Sequence, residues 1–448
     1  MTTTSAPEWS DPPLEAATTP PDPSDGPSTK RVVVAGMIGT VIEYFDFLVY
    51  ATVAGLVFGD LFFPSDNSFI GTMLVWATFA VGFLVRPLGG IIFGHIGDRI
   101  GRSKILFISL TMMGVSTTLI GLMPTYHQIG IAAPIILVIL RVVQGLGVGG
   151  EYGGATLMVI EHSHRSGRRG LYGALMSASA SLGFLLASGL MAILTAVSSD
   201  SQFEGWVWRI PFLLSALLLI VGFYIRRRLG ETPMMKEALE KHETVKTPLA
   251  ELFRSNRREL AIALAVPFGL FAAYYIIMVF SIPFAVDQGV SNQSLLLAMV
   301  TIAQIIYLIA VVSGGALSDR FGRRLPMLAG AIGLGVWSFA FFPLLLSGSA
   351  AGVLTAFAVA LLFLGLIYGP MGAFLAELFS TKVRLSGLSF GYQIGAAVAG
   401  GLSPLLATFL VHELGSWVPV AFVVSIALSF TFIAAAISRD RTNIDLTK

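Results

Sequence analysis

The chain has 448 residues, of which 55% are hydrophobic and 12% are charged, and its mean hydropathy is +0.81. A soluble globular protein carries about twice that charged fraction, so the apolar excess indicates contact with lipid. The formal net charge of +2 is too small to indicate a nucleic-acid partner. The lack of cysteine excludes disulfides and thiolate metal sites, and the six histidines show no metal-ligand spacing. The remaining class is a polytopic membrane protein without a metal.

Residues 1–30 are rich in proline and acidic residues and contain no apolar run. A signal peptide would need a basic start followed by an apolar stretch, and neither is present. The composition instead predicts a disordered cytoplasmic tail.

From Val32 onward, long apolar runs alternate with short polar breaks. Their lengths of roughly 20 to 30 residues match a helix that crosses about 30 Å of hydrocarbon. We therefore predict twelve membrane-spanning helices. Their approximate bounds are 32–58, 70–95, 104–123, 131–160, 170–197, 207–226, 259–283, 294–316, 325–346, 351–375, 385–411 and 416–437.

The orientation follows from the positive charges, because short loops that carry Lys and Arg stay on the cytoplasmic side. All but three of the 28 Lys and Arg residues fall on one side of the predicted spans or in the two tails. Of the exceptions, Arg209 lies on the opposite side, and Arg86 and Arg141 lie within spans. We predict that both termini are cytoplasmic, which agrees with an even number of spans.

One long polar stretch, 227–258, separates two groups of six spans. The predicted organisation is therefore a tail (1–30), an N-terminal six-helix bundle (31–226), a cytoplasmic linker (227–258), a C-terminal six-helix bundle (259–437) and a short cytoplasmic tail (438–448).

The two halves carry the same motif at the same place. The loop after the second span reads GHIGDRIGR from Gly94 to Arg102, and the loop after the eighth reads GALSDRFGR from Gly315 to Arg323. Later in each half, an acid at the end of a span precedes an arginine by seven or eight residues. These pairs are Glu161 with Arg169 and Glu377 with Arg384. Matching motifs at matching spans indicate a duplicated six-helix unit.

This repeated loop motif in a twelve-span chain resembles the major facilitator superfamily. Three further motifs resemble its metabolite:proton symporter family, which includes carriers for shikimate, 2-oxoglutarate, citrate and proline or betaine. They are EYFDF from Glu43 to Phe47, RPLGG from Arg86 to Gly90, and the stretch from Arg141 to Glu151 that begins RVVQG. The resemblance covers about residues 31–437 and implies a major facilitator fold.

Five charged side chains fall within the hydrocarbon, all in the first half: Glu43, Asp46, Arg86, Arg141 and Glu151. Charges are costly there, so we predict that these residues couple transport to protons. Depth along the helices groups Glu43, Arg86 and Glu151 in one layer and places Asp46 opposite Arg141 and Gln144 in another. The alternative is that the charges only hold helices together.

Glu43 and Asp46 are three residues apart and share a helix face. Two such carboxylates cannot easily both ionise in a poorly solvated site, so one is expected to carry a proton. An arginine that moves toward or away from the pair would switch that proton. Asp46 with Arg141 also resembles the acid and arginine pair in the first and fourth spans of proton-coupled sugar porters in the same superfamily.

The central parts of spans 7 to 12 contain no charged residue, so substrate contacts there must come from polar and aromatic side chains. We predict a substrate site between the halves. The candidate contacts are Arg141, Gln144, Tyr274, Tyr275, Gln304, Tyr368, Tyr392 and Gln393. The alternative is that the tyrosines only pack or face the lipid interface.

Charges in the cytoplasmic loops can latch the two halves together and separate when the carrier opens inward. We therefore predict a cytoplasmic gate. Its candidate residues are Asp98, Arg99, Arg102, Glu161, Arg169, Asp319, Arg320, Arg323, Glu377 and Arg384.

Two enzyme-like motifs lack their structural context. The GxGxxG string from Gly145 to Gly150 has no strand before it, so close helix packing is the better interpretation. The GxSxG string from Gly387 to Gly391 opens a predicted span and is followed only by His412, which argues against a hydrolase. No nucleotide-binding GxxxxGK[ST] motif is present, and we predict no enzymatic activity.

Together these features predict an all-α membrane protein, with twelve transmembrane helices in two pseudo-symmetric six-helix bundles, in the cytoplasmic membrane. The predicted function is proton-coupled symport, by alternating access, that takes up a small organic acid or zwitterionic metabolite. The predicted partners are that solute, protons and membrane lipid, with no nucleic acid; the carrier is a monomer and needs no cofactor. A proton-coupled efflux carrier or an uncoupled facilitator of the same superfamily is the alternative.

Overall fold

The computed structural model describes residues 29–100, 102–149, 156, 157, 159, 160, 167–227, 248–290, 293–380, 383–440 and 442. These residues form helices and short connections, and they contain no strand. Glu151, Glu161, nearly all of the predicted tail and most of the predicted linker lie outside the described residues. The predicted domain boundaries therefore stay a prediction.

The first half contains six long helices. Their bounds are α1 (Thr29–Val53), α2 in two segments (Ser68–Leu84 and Arg86–Ile100), α3 (Arg102–Leu122), α4 (Ala132–Val148), α5 (Arg169–Val197) and α6 (Ile210–Arg227). Helix α1 continues through a π-helical turn, Ala54–Phe58, into the short segment Gly59–Phe62. Short helices at Tyr126–Ile129 and Asp200–Gly205, and a 3₁₀ turn at Val207–Arg209, lie in the connections.

The second half repeats this arrangement. Its helices are α7 (Arg257–Tyr275), α8 (Gln293–Phe321), α9 (Arg324–Leu346), α10 (Ala350–Leu378), α11 (Arg384–Leu414) and α12 (Val418–Ile437). Helix α7 continues through a π-helical turn, Ile276–Phe280, into Ser281–Asp287, as α1 does in the first half. The short helix Pro248–Ser255 precedes α7.

Ten helical segments in the described part are long and apolar enough to cross a membrane. The apolar segments Phe107–Leu122 in α3 and Ala132–Val148 in α4 are shorter. Together they confirm the twelve predicted helices. Large apolar side chains such as Val336 and Ile220 are exposed on the outer surface, where lipid covers them.

The two halves contact each other near both membrane faces. Helix α5 packs against α8 and α10, and α2 packs against α11. On the side opposite the cytoplasmic loops, the Phe69 ring stacks on His412 with 3.7 Å between ring centroids. At the cytoplasmic side, the start of α5 binds Asp319 of α8. The described residues therefore form a closed state, with the interior covered at both ends.

Glycines allow α2 and α4 to cross with their backbones in contact. A Cβ atom on Gly145 would collide with the carbonyl of Gly82, and one on Gly149 would collide with the carbonyl of Arg86. A Cβ on Gly89 would likewise collide with the Leu146 carbonyl. The glycine-rich string of α4 thus serves helix packing, as its sequence context predicted.

Candidate functional site

Arg86 stands at a break in α2. The next residue, Pro87, has no N–H to give to the preceding turn, so the helix is interrupted at Val85. The Arg86 guanidinium then lies between two rings, 4.3 Å from the centroid of Phe47 and 4.2 Å from that of Phe83. These are cation–π contacts in a nearly fully buried position.

Arg141 of α4 is fully buried (0% exposed). Its Nη1 donates a hydrogen bond to Gln144 Oε1 at 2.5 Å, and its guanidinium lies 3.7 Å from the centroid of the Tyr50 ring. The guanidinium fits because position 82 is glycine: a Cβ there would lie 2.6 Å from Nη2. The small residue on α2 thus determines where the arginine of α4 can lie.

Asp46 of α1 is 1% exposed. Its Oδ1 accepts a hydrogen bond from Ser215 Oγ at 2.5 Å, and Oδ2 has no hydrogen-bond partner among the described residues. The Thr117 hydroxyl also interacts with this carboxyl group, and Gln144 Nε2 donates to Thr117 Oγ1 at 2.9 Å. Asp46 is therefore connected to Arg141 through Thr117 and Gln144.

The direct pair of Asp46 with Arg141 expected from helix depth is not formed between these two described residues. Gln144 lies one turn along α4 from Arg141 and fills the position opposite the guanidinium. The two layers expected from helix depth meet at the side-chain ends, because the guanidinium groups of Arg86 and Arg141 lie 4.3 and 5.2 Å from the centroid of the same Phe47 ring. Their backbones remain apart along the helices, since the Arg86 carbonyl lies against Gly149, about two turns beyond Arg141 on α4.

Glu43 is buried in α1, one turn before Phe47. Tyr275 of α7 interacts electrostatically with Glu43, Arg86 and Arg141. The four predicted coupling residues that the structure describes thus lie in one region. Glu151, the fifth, lies outside the described residues.

The second half contributes aromatic side chains to the interface between the halves. The hydroxyl of Tyr392 in α11 lies 2.7 Å from that of Tyr44 in α1, and the hydroxyl of Tyr368 in α10 lies 3.5 Å from it. Tyr274 stacks on Phe184 of α5, with centroids 5.0 Å apart. These contacts make a continuous aromatic surface between the halves.

The two predicted amide contacts lie at different places. Gln304 of α8 is beside Tyr274, and its Nε2 is 3.5 Å from the tyrosine hydroxyl. Gln393 of α11 donates from Nε2 to the carbonyl of Gly149 in the first half at 3.2 Å. The carbonyl oxygens of both amides have no hydrogen-bond partner in the described part of the chain.

Sequence reasoning missed several members of this site. They are Tyr44, Phe47, Tyr50, Thr117, Phe184 and Ser215. Tyr44 and Phe47 could have been found, because they lie within the EYFDF motif beside Glu43 and Asp46. The others are ordinary span residues, and only the helix packing distinguishes them.

Asp319 connects the halves at the cytoplasmic side. Its two carboxylate oxygens accept hydrogen bonds from the backbone N–H groups of Gly170 at 2.7 Å and Leu171 at 2.9 Å. Those groups belong to the first turn of α5, where free N–H groups and the helix dipole favour an anion. An acid of the second half therefore caps a helix of the first.

Arg323 holds this acid in place. Its Nη1 donates to Asp319 at 2.6 Å, while Nε and Nη2 bind the two carboxylate oxygens of Glu377 at 3.1 and 2.9 Å. Arg169 of α5 lies 4.0 Å from Glu377 and adds a charge from the first half. Burial alone lowers the pKa of Arg323, but the hydrogen bonds and charges of Glu377 and Asp319 raise it above its usual value.

The other predicted gate residues take different positions. Arg384 donates from Nε to the carbonyls of Ala376 at 3.0 Å and Phe379 at 3.3 Å, at the end of α10. Arg320 is exposed, and its guanidinium lies 5.2 Å from the Phe321 ring centroid. The backbones of Asp98, Arg99 and Arg102 are helical, but their side chains, like the whole of Glu161, lie outside what the structure describes.

Twelve helices in two similar halves, with buried charges and aromatic rings between them, form the architecture of a membrane carrier. The sequence profile of the Major Facilitator Superfamily matches residues 36–399 and 299–447. The chain therefore belongs to this superfamily and, within it, to the metabolite:proton symporter family.

The chain is similar to named transporters over most of its length. It is 39% identical to the inner membrane metabolite transport protein YhjE of Escherichia coli K12, covering 87% of this chain and 89% of that protein. It is 31% identical to the shikimate transporter of the same organism, covering 92% and 94%. The crystal structure of a D-xylose-proton symporter shares the fold, with a TM-score of 0.69 and 18% identity over 92% of this chain and 98% of the other. The chain is thus a multi-pass metabolite transporter of the cytoplasmic membrane.

Proposed function

We propose that the chain is a proton-coupled symporter that takes up a small organic acid or zwitterion by alternating access. The observation that carries the proposal is the buried Asp46 carboxyl group, which interacts with Thr117, while Gln144 binds both Thr117 and Arg141. The likeness to a shikimate transporter and the fold shared with a proton symporter support it.

The Thr117 hydroxyl can take two hydrogen-bond arrangements. Its hydroxyl donates to the carbonyl of Met113 at 2.9 Å and also interacts with Asp46. Ionised Asp46 can only accept hydrogen bonds and draws the Thr117 hydroxyl proton toward itself; protonated Asp46 can donate, which leaves Thr117 on Met113. Because Thr117 also accepts a hydrogen bond from Gln144, the arrangement of the Thr117 hydroxyl affects the hydrogen bond between Gln144 and Arg141.

The anionic group of the substrate binds at the arginines. The Nε atoms of Arg86 and Arg141 are buried and have no hydrogen-bond partner among the described residues. Such donors favour an acceptor, and a carboxylate supplies one together with a compensating charge. The aromatic surface around Tyr274 and Tyr275 encloses the rest of the solute.

The cytoplasmic gate opens when Asp319 leaves the first turn of α5. In the closed state this carboxylate is shared between Gly170, Leu171 and Arg323. When the halves separate, two N–H groups and one carboxylate become exposed to water, which hydrogen-bonds them in turn. The free-energy cost of opening is therefore moderate, and the step is reversible. Substrate and proton then leave to the cytoplasm.

The test uses purified protein in liposomes that contain a pH dye, without an imposed gradient. Pools of small carboxylates and zwitterions are added one at a time. Symport predicts that the lumen acidifies with at least one pool, and that Asp46→Asn loses this signal. Asp60→Asn is the matched control, because Asp60 is an exposed acid in the short helix that prolongs α1.

The other outcomes separate the alternatives. Labelled uptake without a pH change would contradict the coupling role of Asp46 and indicate an uncoupled facilitator. Alkalinisation of the lumen on solute entry would indicate proton exchange, as in an efflux carrier. Loss of the signal in both variants would mean that neutralising an exposed acid has the same effect as neutralising Asp46. That result would contradict a specific coupling role for Asp46.

A further inference from the structure

Gln304 lies near the middle of α8 and is fully buried (0% exposed). Its Nε2 group lies 3.5 Å from the Tyr274 hydroxyl and 3.8 Å from the sulfur of Met278. Its Oε1 atom has no hydrogen-bond partner among the residues that the structure describes. One side of the amide is therefore bound to α7, and its carbonyl oxygen is buried without a donor from the described residues.

The orientation of the amide follows from Met278. A thioether sulfur accepts weak hydrogen bonds but cannot donate one, so the NH₂ group is the one that faces it. The carbonyl oxygen then points away from α7. A buried carbonyl without a donor costs free energy, and native proteins keep such a group where water or a ligand supplies the donor.

Gln304 lies at one end of a continuous array of side chains. Tyr274 is next to Tyr275, with ring centroids 5.4 Å apart, and it stacks on Phe184 of the first half. Tyr275 in turn packs on Phe83 with ring centroids 5.0 Å apart, and the Arg86 guanidinium lies 4.2 Å from the Phe83 ring centroid. The array therefore has cationic donors at its first-half end and an uncharged acceptor at its second-half end.

From this polarity we infer that Gln304 determines substrate specificity, and that the transported solute carries a hydroxyl or N–H donor remote from its carboxylate. The donor binds Gln304 Oε1 while the carboxylate binds the arginines. An analogue whose donor is methylated leaves the carbonyl unpaired and is discriminated against. This inference rests on the proposed function, because it assumes that an acid or zwitterion binds between the halves.

The experiment measures uptake competition in liposomes against whichever labelled acid the pooled screen identifies. Two matched pairs of competitors are used: 3-hydroxycyclohexanecarboxylate with its O-methyl ether, and piperidine-4-carboxylate with its N,N-dimethyl derivative. For at least one pair, the unmodified protein is expected to prefer the donor-bearing member by about tenfold, the value of one hydrogen bond. Gln304→Leu is expected to reduce that preference to about twofold or less, and Gln304→Asn to keep part of it.

Gln288→Leu is the matched control, because this exposed amide follows α7 and contacts no part of the site. If Gln304→Leu does not fold, Gln304→Met removes the same acceptor with a flexible side chain of similar length. An unchanged preference in the variant that folds would overturn the inference, and so would equal competition within both pairs in the unmodified protein. A screen in which no acid or zwitterion is transported would instead overturn the proposed function itself.

Discussion

The hydroxyls of Tyr44 and Tyr392 lie 2.7 Å apart and connect α1 to α11. The two residues belong to different halves of the chain, and the Tyr368 hydroxyl of α10 lies 3.5 Å from Tyr44 on the same side. A hydrogen bond of this kind forms only while the halves are together. It therefore stabilises the closed state over an open state in which α1 and α11 separate at this depth.

Tyr44→Phe removes this bond and keeps the ring. We expect the closed state to lose about 1 kcal/mol, which changes the ratio of closed to open molecules roughly fivefold. The chain has no native cysteine, so spin labels at Asp66→Cys and Glu413→Cys would report the distance across the face opposite the cytoplasm. Tyr50→Phe is the control, since Tyr50 bonds Thr78 within the first half at 2.8 Å. Equal distance distributions in both variants would contradict the prediction.

Gly170→Ala should open the cytoplasmic gate. A Cβ at this position would lie 2.5 Å from the carbonyl of Gly315 and would collide with Arg323, so the start of α5 must move away from α8. Labels at Arg168→Cys and Leu325→Cys are expected to show a longer distance than in the unmodified gate. Gly189→Ala, in the same helix, meets only Thr301 at 3.6 Å and should leave the distance unchanged.

Gly82→Ala should displace Arg141 without breaking the fold. The new methyl group would lie 2.6 Å from Nη2, so the guanidinium must shift, and we expect its Nη1 bond to Gln144 to weaken. We expect a loss of about 1 to 3 kcal/mol of stability and at least a tenfold loss of uptake. Gly335→Ala is the control, because nothing lies within 4 Å of its new methyl group. Thermal unfolding and solute uptake together check the prediction, and full uptake by Gly82→Ala would refute it.

Gly322→Ala should be less stable than Gly415→Ala, because only at Gly322 does the new methyl group meet another side chain. Both glycines have positive φ, +81° and +60°, so alanine costs each about 1 to 2 kcal/mol. At Gly322 the methyl group also collides with the carboxylate of Asp440 beyond α12, whereas nothing lies near it at Gly415. We expect the larger drop in Tm for Gly322→Ala. The double variant with Asp440→Ala should return to the level of Gly415→Ala, and no recovery would argue against the contact.

The sequence predicted the number of helices well, because hydrocarbon thickness determines the length of an apolar run. It predicted their bounds less well. The second span was expected as one run over 70–95, but the helix breaks at Val85 and continues to Ile100. Hydropathy follows the depth of lipid, whereas a helix ends where its backbone hydrogen bonds end, and Pro87 interrupts those bonds inside the membrane.

The sequence identifies the charged residues as candidates for the site, but it does not show which residues they contact. Charged residues in lipid are conspicuous, so Asp46 and Arg141 could be identified from sequence. Their separation by Thr117 and Gln144 depends on the rotation of α4 against α2, which the glycine contacts determine. Tyr50 and Phe184 gave no comparable signal, because aromatic residues are common throughout the spans.

The concentration of buried charge in the first half also bears on how the chain enters the membrane. Each of α1, α2 and α4 carries an ionisable side chain whose insertion alone would cost roughly 2.5 to 3.5 kcal/mol at the bilayer centre. The central parts of α7 to α12 carry none, so these helices can enter lipid one at a time. Contacts among α1, α2 and α4 lower this cost, so we expect insertion of the first half to depend more on helix assembly than insertion of the second half.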